Sequence, residues 1–166
     1  MAVDAKELAQ EVSAGLTSPD YSEVFAEENK ILQNLKKLFL MVAGRAVQKF
    51  GAKFEEEQQL LLASADILIE IHKAESSLLL TEKNAKRFGE DTQKEQIAMC
   101  KLYLYHAVDK VNEKAKEGII SFAQGDEQRM MLMGLKRFTK YQNQPNVVEL
   151  RNIIAEKLTS ENKYVF

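Results

Sequence analysis

Carboxylates and histidines set on long helices are the residues of this 166-residue chain that could do chemistry, and that chemistry would be a di-metal centre. Such a centre in a helical bundle takes a Glu-x-x-His pair from each of two helices, because a three-residue step puts both ligands on one face. Neither histidine meets the requirement: Ile69 stands three positions before His72, and Tyr103 three before His106. Glu70 and His72 are two apart, so they point about 200° apart around a helix. Both histidines therefore read as rim residues hydrogen-bonded to a neighbouring helix. Cys100 is the single cysteine, which excludes an internal disulfide and a cysteine-based zinc site. Its neighbours Ala98, Met99 and Lys101 give no activating pattern for a thiolate, so it reads as buried and inert. Glycine-rich phosphate loops, nucleophile elbows, serine-triad neighbourhoods and dinucleotide fingerprints are missing from the sequence. The residues alone assign no catalytic, cofactor-binding or metal role.

Three charged positions stand out for another reason. Arg45 and Asp66 each interrupt an apolar neighbourhood, and Glu70 lies one turn beyond Asp66. One reading is a buried or half-buried ion pair drawn from these three, which would specify register more than it adds stability. The other is that Arg45 snorkels its guanidinium to water. Lys36-Lys37 and Lys83, Lys86 and Arg87 form small basic clusters that read as solvated surface, with phosphate or headgroup contact as the alternative. The run Met130-Met131-Leu132-Met133 reads as core, or as a partner surface if it lies at the domain edge.

The elements that must position these residues are helices. Apolar residues make up 45% of the chain and charged residues 29%, the balance of a globular protein large enough to build a core. A net charge of −2 with both signs interspersed gives no footprint for nucleic acid. The acidic N-terminus MAVDAKELAQEVSAG does not read as a secretory signal, and no apolar run is long enough to span a bilayer. The expected location is the cytoplasm, or the mitochondrial matrix if the source is a eukaryote.

A short helix is expected before Gly15, then a linker over 16–22 in which Pro19 blocks continuation. Residues 1–22 are thus an arm and 23–166 the bundle domain. The first long helix is predicted over 23–50, with Leu32, Leu35, Phe39, Val42 and Ala46 on one face and Ile31, Leu38 and Met41 widening it. A second is predicted from 52–54 to Phe88 with Glu55, Glu56 and Glu57 in its first turn and the seam Leu60, Ser64, Ile67, Ile71, Ala74 and Leu78. Thr92 and Glu95 have capping-box spacing for a third helix, whose seam is Ile97, Cys100, Leu104, Ala107, Val111, Ala115 and Phe122. A fourth is predicted over 127–141, and Asn146 with Glu149 opens a fifth, through about residue 158. The fold class is all-α, an antiparallel up-and-down bundle of about four main helices with short terminal ones.

The stretch Phe25 to Lys83, with Gln58-Gln-Leu-Leu-Leu62 leading to Ala65-Asp66, then Ala74-Glu75-Ser76, resembles the C-terminal helical region of very-long-chain-type acyl-CoA dehydrogenases. The likeness runs from about Ser22 to the closing Tyr164-Val-Phe166. The resemblance implies a non-catalytic domain of an FAD-dependent enzyme of fatty acid β-oxidation, serving docking, dimer support or localisation. The flavin and the catalytic glutamate would belong to segments that nothing here matches. Implied partners are the catalytic portion of the parent enzyme or a second copy, together with peripheral membrane contact, and no nucleic acid. The competing reading is an autonomous helical scaffold that binds a partner helix. A docking domain should keep one face unusually apolar, expected here at Ile31 and Leu38 and over residues 130–135.

Overall fold

Five helices carry residues 24–163, the part of the chain that the computed structural model describes, and no strand occurs among those residues. The expected arm and its short helix lie outside them. Three helices are long: α1 (Ala26–Phe50), α2 (Gln58–Phe88) and α3 (Lys94–Phe122). Two are half that length: α4 (Gly125–Phe138) and α5 (Val147–Glu161). Short connections fold α1, α2 and α3 back on one another, α4 completes a four-helix bundle, and α5 lies along α3. No described helix is long and apolar enough to cross a membrane.

The stops are made by glycine. Gly51 ends α1 at φ +55° with its N–H on the Val47 carbonyl, and Gly89 ends α2 at φ +90° with its N–H on the Ala85 carbonyl. Both conformations are ones that only glycine adopts without steric cost. The chain does not enter α2 at residues 52–54 as the spacing predicted. Gly51–Glu56 instead forms a 3₁₀ turn, from which Phe54 packs against the core, and α2 begins at Gln58. The three glutamates 55–57 therefore precede the helix, although they still lie near its positive end.

The expected capping box at Thr92 does not form. The Thr92 hydroxyl donates to the carbonyls of Phe88 and Gly89, both at 2.8 Å, and so serves the end of α2 rather than the start of α3. The physical reason is proximity: the last carbonyls of α2 have no helical N–H to accept from, and the 3₁₀ turn Glu90–Gln93 brings this hydroxyl to them. Asn146 behaves as its spacing predicted, its side chain accepting the Glu149 N–H at 3.3 Å to open α5.

The core is a single cluster running through α1 to α4. Every member of the α2 seam, from Leu60 to Leu78, is buried, as are Cys100, Leu104, Ala107, Val111, Ala115 and Phe122 of α3. Each large aliphatic side chain withdrawn in this way contributes about 1.5–3 kcal/mol. Gly118 lets three helices approach closely: a Cβ there would lie 3.3 Å from Val42 Cγ1 and 3.4 Å from Leu60 Cδ1.

One expectation is overturned. Ile31 and Leu38 are 1% and 0% exposed, so they form no free face. The reason is the number of neighbours, since α1 packs on α2, α3 and α4 together and buries a wide arc. The segment 130–135 divides instead: Met131 and Leu135 enter the core, whereas Met130 and Met133 are 63% and 61% exposed.

Candidate functional site

Arg45, Asp66 and Glu70 are not brought together. Arg45 is exposed on α1 and binds Glu127 of α4, Nη2 to Oε1 at 2.5 Å and Nε to the same oxygen at 3.0 Å. Its Nη1 donates to Gln48 at 2.8 Å. Asp66 is exposed on the outer side of α2. Glu70 joins a different group, in which it accepts the Tyr103 hydroxyl at 2.9 Å and lies 3.5 Å from Lys110 and 3.4 Å from Lys73. The polar bridge between α2 and α3 is thus Glu70 with Tyr103 and Lys110. Burial alone would raise the Glu70 pKa, but the Tyr103 hydroxyl and the two lysines outweigh it and hold the carboxyl below its ordinary 4.5. Burial and the Glu70 charge push the Tyr103 phenol up to about 12.

A second polar group escaped sequence reading. Glu28 is buried, with Oε1 at 3.6 Å from the Lys101 ammonium, which also donates to the Val24 carbonyl at 2.9 Å. Tyr141 is buried beside this group, and its phenol is pushed up first by burial and then by the charges of Glu28 and Glu27. Glu28 Oε2 and the Tyr141 hydroxyl lack a hydrogen-bond partner among the described residues. The signal was present in the spacing: Glu28 stands four residues before Leu32 and seven before Leu35, an acid in a core position. The pair closes the end of the bundle where α1 begins, with Glu27 accepting the Gln142 N–H at 2.7 Å nearby.

The histidines are exposed rim residues. His106 receives Arg151 of α5 at 3.4 Å, and His72 lines a shallow groove between α1 and α2. That groove also takes in Phe39, Leu40, Leu68 and the pair Lys36–Glu75, joined at 2.5 Å. Its lysine is neutralised by Glu75, its walls are apolar and open, and it has no glycine-rich turn to cradle a pyrophosphate. These residues do not fit a flavin dinucleotide. No group of three or more His, Cys, Asp or Glu side chains able to hold a metal occurs among the described residues. Cys100 is buried, and burial pushes its thiol up, against the pull of the Ser77 and Thr81 hydroxyls. That is the opposite of an activated nucleophile.

What the described surface does carry is apolar area. Leu62, Ile69 and Leu80 project from the outer face of α2, Leu40 and Val47 from α1, and Met130 and Met133 from α4. The bundle is thus a module with a complete core and apolar side chains spread over the outer faces of three helices.

Comparison with known proteins gives that module a family. Residues 34–137 match the family described as Acyl-CoA dehydrogenase, C-terminal domain. A Bacillus subtilis (strain 168) protein described as a "probable acyl-CoA dehydrogenase" is 29% identical over 160 residues, which are 96% of this chain and 27% of that protein. The crystal structure of an acyl-CoA dehydrogenase complexed with FAD from Bacillus anthracis superposes with a TM-score of 0.89 at 31% identity, covering 98% of this chain and 27% of that one. The chain belongs to the acyl-CoA dehydrogenase C-terminal domain family. It spans about a quarter of the length of the relatives it matches.

Proposed function

We propose that this chain is the non-catalytic C-terminal helical domain of an FAD-dependent acyl-CoA dehydrogenase of the very-long-chain type, and that it docks on the catalytic portion of that enzyme. The observation that carries this reading is the coverage: nearly all of this chain, and only 27% of each relative, takes part in the match. The flavin and the acyl-CoA would be held by the remaining three quarters. This agrees with the failure of the α1–α2 groove to suit a dinucleotide and with the structural bonds made by Arg45, Glu70 and Glu127. The role of the domain is then mechanical: it buries apolar surface against the catalytic part and serves docking, dimer support or localisation of the enzyme. The exposed side chains on α1 and α4 supply that surface.

The test is size-exclusion chromatography with light scattering on a mixture of this chain and an FAD-loaded acyl-CoA dehydrogenase from the same source, prepared without its own C-terminal quarter. Co-elution at one-to-one stoichiometry is the expected result. Separate elution with this chain folded would reject the docking role and favour a free-standing helical scaffold.

A further inference from the structure

Sulfur is concentrated where α1 meets α4. Of the six methionines in the sequence, Met41 stands on α1 and Met130, Met131 and Met133 on α4. The three on α4 differ in burial: Met131 is in the core at 5% exposure, while Met130 and Met133 are 63% and 61% exposed. Met41 lies between these states, half-buried and packed against the core. Its side chain fills a notch. A Cβ on Gly134 of α4 would stand 3.0 Å from Met41 Sδ and 3.3 Å from Met41 Cε, with Phe138 Cε2 at 3.9 Å. Gly134 is inside the helix, where glycine is a poor helix former, and the thioether of Met41 takes the space it leaves.

The rest of the hold on α4 is light. The helix is 14 residues long and buries Met131, Leu135 and Phe138. One turn from Met41 along α1, the Arg45–Glu127 pair that also joins the two helices is exposed. The seat at Gly134 therefore weighs in how α4 is attached. A thioether is also the one apolar group in this contact whose polarity chemistry can change. A hydroperoxide oxidises it in a two-electron step: Sδ attacks the outer peroxide oxygen, and an S–O bond forms as the O–O bond breaks. The departing oxygen takes up the proton of the transferred one and leaves as water or alcohol. The sulfoxide adds a polar oxygen to an atom that already stands where a methyl group would not fit. That oxygen either stays in the notch without a partner or forces the side chain out of it.

We propose that Met41 is a site of reversible oxidation by hydroperoxides, and that its sulfoxide loosens the seat of α4 on α1. Half-burial lets a small peroxide reach this sulfur with the bundle closed, whereas Met131 is reached only when the core opens. Met130 and Met133 react sooner, but they lie in solvent and their oxidation leaves the packing of α4 as it was. The structural response therefore follows the second stage of oxidation and not the first. A methionine sulfoxide reductase returns the thioether and with it the seat. The proposal is read on this chain alone and does not rest on the docking role.

The experiment is graded treatment of this chain with hydrogen peroxide, the sulfoxides mapped by peptide mass spectrometry and the opening of α4 followed by hydrogen exchange. While only Met130 and Met133 are oxidised, the amides of α4 should exchange together with those of α2. As the Met41 sulfoxide accumulates, they should run ahead of α2 by about tenfold or more, and sulfoxide reductase should bring them back. Met41→Leu, a swap of similar volume, should abolish the response while Met130 and Met133 are still oxidised. Replacing Met130 and Met133 together by leucine should leave the response intact. The proposal is overturned if α4 keeps pace with α2 once Met41 is fully oxidised, or if Met41 resists peroxide until the bundle unfolds. A response that survives Met41→Leu, or one that is lost with the Met130 and Met133 replacements, overturns it equally.

Discussion

At the scale of single residues, the Glu70–Tyr103 hydrogen bond makes stability depend on pH at both ends. Glu70 has a lowered pKa in the folded chain, so its contribution is complete above its ordinary 4.5 and is lost as pH falls through the lower folded value. Tyr103 has a raised pKa, so its contribution is complete below its ordinary 10.0 and is lost as pH rises toward about 12. Replacing Tyr103 by Phe should cost about 1 kcal/mol at neutral pH, flatten the alkaline limb and bring the Glu70 pKa up. Denaturant unfolding in acid, at neutrality and above the ordinary tyrosine range checks this, and a variant with an unchanged alkaline limb would remove Tyr103 from the account. The ion pairs were only partly legible in the sequence. Arg45 and Asp66 stood out by their apolar surroundings, with Glu70 as a possible partner, yet Asp66 is exposed and the true partners are remote: Glu127 is 82 residues from Arg45 and Tyr103 is 33 from Glu70. A single helix's pattern says which side a charge is on and nothing about which helix faces it.

Element by element, the seams were the readable part because burial imposes a period. Leu60, Ser64, Ile67, Ile71, Ala74 and Leu78 are all buried, including the serine that hydropathy alone would have placed outside. The misplaced features are those decided between elements. Thr92 has the right spacing for a cap but was drawn to the carbonyls of the preceding helix, and Ile31 with Leu38 met neighbours that their own helix could not announce. The exposed stripe of α2 follows from the same period, since Ile69 stands two residues from Ile67 and so about 200° away around the helix, off the seam. The seam itself can be tested through Leu104, 2% exposed at the middle of α3. Leu104→Ala should destabilise by about 2–5 kcal/mol in urea unfolding, and a loss under about 1 kcal/mol would mean that α3 presents a different face to the bundle.

For the whole molecule, one continuous core joins α1 to α4, so these helices should unfold together. The last helix stands outside that unit. No residue of α5 is buried, and α3 is the helix it packs on. Its amides should therefore exchange through local opening, at a free energy below the global value and with little dependence on urea. Native-state hydrogen exchange resolves this directly: protection in α5 equal to that in α3 would place it inside the cooperative unit after all.

The buried thiol of Cys100 has a consequence in time rather than in space. It is the one sulfhydryl in the sequence, it lies in the α3 seam, and its proton is held more firmly than that of a free cysteine. A disulfide reagent can reach it only during the intervals when the seam is open, so the slow rate of its modification counts those intervals. No label need be introduced, and no second cysteine blurs the record. Where reclosing is fast, the rate should rise with every loss of stability, about thirtyfold or more for Leu104→Ala if that substitution costs the about 2 kcal/mol or more expected of it. The chain carries its own stopwatch, started only when the bundle comes apart.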